Sequence, residues 1–415
     1  MSDPARIHFA DPDRDGQLAR TLSMAVVHAA DLGEALAAAR RIRSPHRDAW
    51  FDSWAQAAED AERAAADATA AGDRVSARHA LLRGSEYRRQ SWYYLRSDLT
   101  DPRLREGYRR HVEDFVAATR MMDHPAEQVR VPYAGTTLTG YLFTPDGSGA
   151  RRPTIVSLCG YDSTAEYGWA DVPPALDRGY TVLVVEGPGQ GGALIEQGLT
   201  LRPDFERVLT PVLDWLVTRP EVDPAAIVLM GRSFAGYLAP RAAAAEHRIA
   251  ALVCDPAQPE MSARLPRGAA ARLAAPVVRV QMRRDAGRRE FFGARMAAHG
   301  LSDVGDYFAE LRRFSMLPAA GRISCPTLIV EAEHDFAGGS GRQLLEAMAA
   351  PAELVRLRAA DGAGGHCGGL GQQRWAGTVY PWLHRVLGGS AGPTAGSVQS
   401  HVLAPDAPVR HRSRP

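Results

Sequence analysis

The most informative segment of this chain is Ile227-Val-Leu-Met-Gly-Arg-Ser233-Phe-Ala-Gly-Tyr-Leu-Ala239. An apolar run ends at Gly231, a serine follows two residues later, and an alanine-rich helical pattern begins at once. This order predicts a strand, a sharp turn and a helix, with Ser233 at the apex of the turn. A serine in that position has an exposed hydroxyl and backbone N–H groups beside it at a helix N-terminus, which suits a nucleophile that attacks a carbonyl carbon.

Small residues flank this serine, where the strand and helix backbones must come close together. The usual pattern of such a turn is G-x-S-x-G. In this chain Ala235 takes the second glycine position, and Gly236 follows one place later. Since small residues after a strand are common, the segment alone is a weak signal, and its interpretation depends on the rest of the chain.

Length and charge set the broad class of protein. The chain has 415 residues, of which 45% are apolar and 23% are charged, and its formal net charge is +1. This length predicts two structural units, or one large enzyme domain with additions. The charge balance disfavours nucleic acids and acidic membranes as main partners. The N-terminus lacks a charged-then-apolar signal pattern, and no long apolar run occurs, so we expect a soluble, cytoplasmic protein with no membrane partner.

Residue usage also narrows the chemistry. All 49 residues counted as Lys or Arg are arginine, which excludes mechanisms that need a lysine, such as a Schiff base or a Ser-Lys dyad. The four cysteines form no C-x-x-C pair, and the histidines do not cluster at ligand spacing, so we expect no metal ion. A glycine-rich loop at 186–192 superficially resembles a phosphate-binding loop but lacks the context of a dinucleotide unit. We therefore expect no cofactor.

The pattern of apolar residues changes along the chain and predicts its organisation. Residues 1–125 have helical spacing with almost no strand signal, which predicts an N-terminal, cap-like, all-helical domain of four or five helices. Residues 126–388 begin with a hairpin pattern and continue with apolar runs that alternate with helical segments. This indicates an α/β catalytic domain with a mostly parallel, eight-stranded sheet covered by helices on both faces. A helical insertion is expected at about 259–317, and the Gly-, Pro- and Ser-rich residues 389–415 predict a disordered tail.

Two polar residues follow later predicted strands and complete a catalytic pattern with the serine. Asp335 comes shortly after the apolar run 327–332, and His366 lies in a glycine-rich loop after the run at 354–357. Parallel strands place their carboxyl ends at one edge of a sheet, and a serine nucleophile needs a base that is oriented by an acid. The chain order of Ser233, Asp335 and His366 is also that of the α/β-hydrolase fold. We therefore predict that these three residues form a catalytic triad.

Two other carboxylates are alternatives to Asp335 as the acid of the triad. Glu333 lies in the same loop as Asp335 but closer to the strand, and Asp361 is so near His366 in sequence that a face-to-face contact is harder.

The oxyanion hole should use the backbone N–H of Phe234 and one N–H from the loop after the third strand. That loop, 158–164, lacks the His-Gly-Gly-Gly of lipases, and we assign its donor to Tyr161.

With these residues placed, the chain resembles a branch of the α/β-hydrolases in which a helical unit precedes the catalytic domain. This branch includes 2,6-dihydroxypseudooxynicotine hydrolase, the fungal polyketide-shortening hydrolases of pigment pathways and the fermentation-respiration switch protein. The resemblance runs from about residue 87 to 387 and implies the same triad and oxyanion donors, with a substrate pocket between the helical unit and the sheet. It rests on Gly160-Tyr-Asp-Ser-Thr-Ala-Glu166, Glu186-Gly-Pro-Gly-Gln-Gly191, Gly231-Arg-Ser-Phe-Ala-Gly-Tyr-Leu-Ala-Pro-Arg241, Glu331-Ala-Glu-His-Asp335 and Gly362-Ala-Gly-Gly-His-Cys367.

The chain departs from the pattern of this branch at two positions. Ala235 replaces the usual glycine of the turn, and Gly365 stands where an acidic residue is expected before the histidine. Members that cleave carbon–carbon bonds use an additional carboxylate, and Glu260 and Asp255, just after the sixth predicted strand, are candidates for such an accessory acid. Capping a loop or forming a salt bridge is the alternative role for both.

The leading functional hypothesis is a serine hydrolase that acts through an acyl-enzyme on a small or medium ester, thioester or β-diketone. Tyr93 and Tyr94 of the helical unit and Phe291 and Phe292 of the insertion are candidate pocket residues and suggest an aromatic or polyketide-like substrate, although core packing explains them equally well. One alternative is an acyltransferase or cyclase that uses the same triad, and another is a regulatory binding protein without catalysis. A homodimer is expected, because helical units of this kind supply dimer contacts in similar proteins.

Overall fold

The computed structural model describes residues 6–266 and 269–388. Within these ranges, five α-helices precede the first strand, which confirms the predicted N-terminal helical region. Four of the five begin at an aspartate whose side chain accepts a backbone N–H from the first turn, a preferred N-cap arrangement. The capping residues are Asp11, Asp31, Asp73 and Asp101. The helices are α1 (Pro12–Ser23), α2 (Leu32–Arg41), α3 (Arg47–Ala70), α4 (Arg74–Ser91) and α5 (Pro102–Arg120).

The helical region shares a hydrophobic core with the rest of the protein. Helices α3, α4 and α5 pack side by side, and the region buries Trp50, Trp54 and Tyr87. The same apolar cluster continues to Val184 and Val228 in the central strands. The helical region is therefore packed against the sheet instead of being joined to it only by a linker. The predicted domain boundary at residue 125 falls between α5 and the first strand, and the division into two domains stays a prediction.

The rest of the chain builds one sheet from β1 (Glu127–Tyr133), β2 (Thr136–Phe143), β3 (Arg152–Leu158), β4 (Thr181–Val185), β5 (Val222–Arg232), β6 (Ile249–Asp255), β7 (Thr327–Ala332) and β8 (Ala352–Leu357). The strand order in the sheet is β1-β2-β4-β3-β5-β6-β7-β8. Strand β2 is antiparallel to β1 and β4, and all other neighbouring strands are parallel. The predicted mostly parallel, eight-stranded sheet is confirmed.

Helices cover both faces of this sheet. In β4, Val182 and Val184 face the cluster that contains the N-terminal helices, whereas Leu183 and Val185 face the other cluster. This alternation is the period of two expected for a strand buried between two layers. The helices of this part are α6 (Val172–Leu176), α7 (Gly191–Ile195), α8 (Glu206–Leu216), α9 (Ala235–Ala243), α10 (Ala269–Arg284), α11 (Ala286–Ala298), α12 (Val304–Leu311), α13 (Gly341–Ala347) and α14 (Gln372–Val386).

Helices α10, α11 and α12 lie between β6 and β7, where the insertion at about 259–317 is predicted. They form a small apolar cluster of their own around Met296, Tyr307 and Phe308. The predicted tail, residues 389–415, lies outside the described residues. Among the helices in the described ranges, none combines the length and apolar character needed to span a bilayer.

Candidate active site

Ser233 occupies the sharp turn that its sequence predicts. It lies between the end of β5 and the start of α9, and its φ angle of +59° is in the left-handed region. A residue other than glycine in this region is strained, and such strain is typical of a nucleophile held on a strand–turn–helix connection. The backbone N–H of Ser233 donates to the carbonyl of Asp255 at 2.7 Å, and its own carbonyl accepts the N–H of Gly236 at 2.9 Å. These bonds fix the position of the serine at the carboxyl edge of the sheet.

The two glycines around the serine are required by close backbone contacts. A Cβ at Gly231 would lie 2.2 Å from the carbonyl oxygen of Ala235. A Cβ at Gly236 would lie only 1.9 Å from the carbonyl oxygen of Pro256, which follows β6. Ala235, by contrast, is fully buried with its methyl group in place. In this chain the second glycine of the turn is therefore needed at position 236, which explains the departure from the usual spacing.

Two helical glycines are expected to respond in opposite ways to substitution by alanine. Gly236→Ala should lower the free energy of unfolding by about 3 kcal/mol, because the new methyl group overlaps the backbone of Pro256. Gly377→Ala in α14 is the matched control, since a Cβ there meets no atom within 4 Å. The control should raise the free energy of unfolding by up to about 1 kcal/mol. Urea unfolding measures both, and a Gly236→Ala variant as stable as the wild type would contradict the predicted overlap.

The three predicted triad residues lie together in a chain of hydrogen bonds. The imidazole Nε2 of His366 lies 2.8 Å from Ser233 Oγ, and Nδ1 lies 2.8 Å from Asp335 Oδ1. Asp335 follows β7, and His366 begins a short 3₁₀ turn in the glycine-rich loop after β8. Gly365, directly before the histidine, has a φ angle of +94°. Glycine adopts this angle without strain, which gives a reason for its presence where an acidic residue was expected.

Asp335 is held as a carboxylate. Burial by itself would raise the pKa of Asp335, but the hydrogen bond and charge of His366 and the backbone N–H groups of Cys367 and Ala337 together lower it. Those N–H groups donate to its two oxygens at 3.0 and 2.8 Å. A charged acid at this position orients the imidazole and stabilises its protonated form.

The other two carboxylates considered for the acid role bind elsewhere. Glu333 accepts the backbone N–H of Ala359 at 2.7 Å. Asp361 pairs with Arg358 and Arg374 at 3.2 and 3.5 Å. Neither is hydrogen-bonded to His366 in the described part of the chain. The geometry therefore agrees with the preference for Asp335, whose catalytic role stays a prediction.

The loop after β3 lies directly against the serine. A Cβ at Gly160 would lie 3.2 Å from Ser233 Cβ, so the backbone N–H of Tyr161 is beside the nucleophile. Among the described residues, neither the N–H group of Tyr161 nor that of Phe234 donates a hydrogen bond. The hydroxyl of Tyr161 is hydrogen-bonded to Nε2 of His299, at the end of α11. Two unpaired N–H groups are what an oxyanion hole needs, and that role stays a prediction for both.

The glycine-rich loop at 186–192 surrounds a carboxylate of the protein itself. Glu186 is buried and accepts the backbone N–H groups of Ala165, Gly192 and Ala193 at 3.2, 2.8 and 3.4 Å. A Cβ at Gly191 would lie 1.6 Å from Glu186 Oε1, so a larger residue cannot replace this glycine without displacing the carboxylate. The resemblance to a phosphate-binding loop has this origin, because in both cases backbone N–H groups point at an anion.

The same loop supports the predicted oxyanion loop from behind. Gln190 accepts the N–H of Gly187 at 2.7 Å and donates through Nε2 to the carbonyl of Cys159 at 2.5 Å. Gln258, after β6, donates to the carbonyl of Ser233 at 2.6 Å. Sequence reasoning missed both glutamines. A signal was present for Gln190, since it and Glu186 are the two polar residues within the quoted motif 186–191.

Arg232 connects the nucleophile turn with the histidine loop, and sequence reasoning also missed it. Its guanidinium donates to Asp171 at 2.9 Å, to the carbonyl of Cys367 at 2.9 Å and to Gln372 at 2.8 Å. Its Nε also lies 3.4 Å from Asp255 Oδ2. These four partners come from three segments that are far apart in sequence, so Arg232 holds the loop of the catalytic histidine candidate at a fixed distance from β5.

Removing Arg232 is expected to destabilise the protein. Arg232→Met leaves Asp171 and the fully buried Asp255 without their counter-charge, which should lower the free energy of unfolding by about 3–5 kcal/mol. The matched control is Arg385→Met, which breaks an exposed pair with Glu353 and should cost less than about 1 kcal/mol. Urea unfolding compares the two variants, and equal losses would show that Arg232 does not act as a buried counter-charge.

The two candidate accessory acids lie in different surroundings. Asp255 is fully buried at the end of β6. Burial is the main cause that raises the pKa of Asp255 to about 6; Arg232 and His366 lower this pKa, and Asp335 raises it. Glu260 is half-buried and forms an isolated antiparallel bridge with Ser315 through its backbone. An accessory-acid role stays a prediction for both residues.

The four candidate pocket aromatics do not form a single apolar wall. Tyr94 is buried, and its hydroxyl donates to Asp13 at 2.7 Å. Tyr93 is buried beneath the guanidinium of Arg96, which lies 4.0 Å from its ring centroid. Phe291 is partly exposed and lies 3.5 Å from the guanidinium of Arg295, whereas Phe292 packs against Phe308 inside the insertion. Two of the four aromatic side chains therefore stack on arginines.

Asp335, His366 and Cys367 also form a compact group of potential metal ligands. Both imidazole nitrogens of His366 already have partners in Asp335 and Ser233. Burial raises the pKa of the Cys367 thiol well above its usual value, which disfavours the thiolate that a metal requires. This arrangement suits proton transfer better than metal binding.

Comparison with known proteins identifies the family to which the chain belongs. The model of the alpha/beta hydrolase family matches residues 147–379, which is more than half of the chain. The chain belongs to the alpha/beta hydrolase family. Among its relatives, the alpha/beta hydrolase psoB of Aspergillus fumigatus is 38% identical over 266 residues, covering 60% of this chain and 59% of that protein. The 20-hydroxy-prefusarin hydrolase FUS2 of Gibberella moniliformis is 33% identical over 259 residues, covering 60% of this chain and 61% of that protein.

The chain thus spans about three fifths of the length of these two relatives. Among solved structures, the 2,6-dihydroxy-pseudo-oxynicotine hydrolase superposes with a TM-score of 0.72 at 22% identity, covering 90% of this chain and 98% of that one. AbyA5 gives a TM-score of 0.62 at 19% identity, covering 88% of this chain and 94% of that one. The α/β-hydrolase fold with an N-terminal helical region is therefore confirmed, as is the resemblance inferred from the motifs.

Proposed function

We propose that this protein is a serine hydrolase that cleaves an ester, a thioester or the carbon–carbon bond of a β-diketone through an acyl-enzyme on Ser233. The observation that carries the proposal is the pair of 2.8 Å contacts that joins Ser233 to His366 and His366 to Asp335. A hydroxyl, an imidazole and a carboxylate in this order form the arrangement that activates serine in hydrolases.

In the proposed first step, Ser233 Oγ attacks the substrate carbonyl carbon while Nε2 of His366 takes the hydroxyl proton. The tetrahedral intermediate then collapses, its bond to the leaving group breaks, and His366 returns the proton to that group. Water attacks the acyl-enzyme in the same way and releases the acid and free serine. Asp335 holds the imidazole in the required tautomer throughout.

The negative oxygen of each tetrahedral intermediate is assigned to the backbone N–H groups of Tyr161 and Phe234. Removing a single donor of this kind costs about 2.7–4 kcal/mol in the activation barrier of a serine protease. Because both donors are backbone groups, the course of the backbone matters more than the side chains of Tyr161 and Phe234. Gly160 lets its loop approach Ser233, and Gly231 lets the end of β5 approach the start of α9.

The proposed substrate is a small molecule with a polyketide-like acyl group. Support comes from FUS2, whose name states that it hydrolyses 20-hydroxy-prefusarin. Cleavage of a β-diketone would require a proton for the departing enolate carbon, and we assign that proton to His366, with Glu260 or Asp255 as accessory acid. A cytoplasmic homodimer without a cofactor remains the expected setting.

The main alternative is transfer of the acyl group to an amine or hydroxyl instead of water, as in an acyltransferase or a cyclase. Product analysis with p-nitrophenyl butyrate, with and without butylamine, distinguishes the two reactions. Hydrolysis predicts butyrate as the main product in both cases, whereas N-butylbutyramide as the main product would overturn hydrolysis in favour of transfer. A regulatory protein without catalysis would form neither product faster than buffer without protein does.

A further inference from the structure

Three arginines from different parts of the chain converge on one aspartate beside the proposed oxyanion hole. Arg20 lies on α1, Arg96 follows the short 3₁₀ turn after α4, and Arg295 lies on α11 of the insertion. Arg96 pairs closely with Asp162, at 2.5 Å, whereas Arg20 and Arg295 remain at 3.9 and 3.8 Å from the same carboxylate. Asp162 belongs to the loop that supplies Tyr161.

The charges in this cluster do not balance. In the described residues, Asp162 is the only carboxylate within salt-bridge distance of Arg20 or Arg295. The nearby Asp13 accepts a hydrogen bond from Tyr94, and burial raises its pKa. Three guanidinium groups therefore face at most two negative charges. Burying unbalanced cations is costly, and an anion that binds between them offsets this cost.

The cluster borders space that a ligand can reach. The side chains of Arg20, Arg96 and Arg295 keep 19%, 13% and 11% of their surface exposed, and Asp162 keeps 14%. Arg295 also lies 5.4 Å from the ring centroid of Tyr161, the residue whose backbone N–H is the proposed oxyanion donor, and Asp162 is the next residue in the chain. A substrate whose acyl carbon is at Ser233 could therefore place a second group against the arginines.

We propose that Arg20 and Arg295, with Arg96 held by Asp162, form an anion subsite that binds an acidic group of the substrate, either a carboxylate or an ionised β-dicarbonyl. Guanidinium groups present paired N–H donors that match the two oxygens of such a group. The proposal rests on the proposed function, since it specifies the acidic acyl substrates that the Ser233 hydrolase should prefer.

Matched ester pairs test this preference. The probes are the p-nitrophenyl monoesters of adipic and suberic acid, each compared with its methyl-capped neutral counterpart. The wild type should show at least a tenfold higher kcat/KM for an acidic ester than for its capped counterpart. Arg295→Gln and Arg20→Gln should reduce this ratio to below threefold, and Arg295→Lys should keep part of it. Arg289→Gln, an exposed arginine on the same helix α11, is the control and should leave the ratio unchanged.

A binding measurement that does not depend on activity separates the two proposals. Monomethyl suberate and dimedone, an acidic β-diketone, should each raise the melting temperature of the wild type more than neutral dimethyl suberate and cyclohexanone do. The larger shift identifies which acidic group the subsite prefers, and Arg295→Gln should remove it. Two results would overturn the subsite. One is an active wild type with equal kcat/KM for acidic and neutral esters, and the other is a wild type whose melting temperature rises no more with the acidic probes than with the neutral ones. If neither the esters nor a fluorophosphonate reacts, the proposed function fails, and the melting temperatures still decide the subsite.

Discussion

Ser233→Ala is expected to lower kcat for p-nitrophenyl ester hydrolysis by about 10⁵-fold or more, since it removes the atom that forms the acyl-enzyme. This corresponds to about 7 kcal/mol in the activation barrier. The hydroxyl of Ser233 is hydrogen-bonded to His366, and the turn itself is held by backbone bonds. The variant should therefore fold normally, with little change in melting temperature.

The matched control for this prediction is Ser302→Ala, which alters an exposed serine in the insertion. Its kcat should stay within a factor of two of the wild type. Steady-state rates on the three proteins provide the test. A Ser233→Ala enzyme that retains a tenth of the wild-type rate would show that the reaction does not pass through this serine.

Asp335→Asn is expected to lower kcat by about 10⁴-fold while leaving KM nearly unchanged. The amide cannot stabilise the imidazolium that forms during the reaction, and its NH₂ group favours the wrong tautomer of His366. The carboxylate now accepts the N–H groups of Ala337 and Cys367 on separate oxygens, whereas the amide has only one acceptor oxygen. The substitution therefore also removes one of these two hydrogen bonds. The measurement is kcat at neutral pH for the variant and the wild type.

The chain offers two matched controls for the acid. Glu333→Gln and Asp361→Asn alter carboxylates in the same two loops that are bonded to other groups. Each should change kcat less than threefold. A large loss in either control, combined with a small loss in Asp335→Asn, would move the acid role to that residue.

The sheet and the positions of the three triad residues could be predicted from sequence for local reasons. The central strands are short apolar runs with turn residues at their ends, and β4 is buried along its whole length, as a continuous apolar run predicts. Parallel strands direct their carboxyl ends to one edge, so residues that follow β5, β7 and β8 meet there. Gly231 and the glycines around His366 indicate where backbones approach or turn.

Other parts of the site could not be predicted, because they depend on contacts between distant segments. Arg232 could be seen in the sequence, but its partners come from segments near residues 171, 255, 367 and 372. The arginines around Asp162 belong to α1, α11 and the end of α4, and nothing in their spacing predicts that they meet. The pocket aromatics illustrate the opposite case. Their residue types suggest an apolar surface, whereas Tyr93 and Phe291 stack on guanidinium groups instead.

The most direct test of the central claim is the intact mass of the protein after treatment with a fluorophosphonate, which reacts only with an activated serine. We predict that the wild type gains the mass of one phosphonyl group, that Ser233→Ala gains none, and that Ser302→Ala behaves as the wild type. Absence of labelling in folded wild type, or labelling that persists in Ser233→Ala, would contradict a nucleophilic role for Ser233.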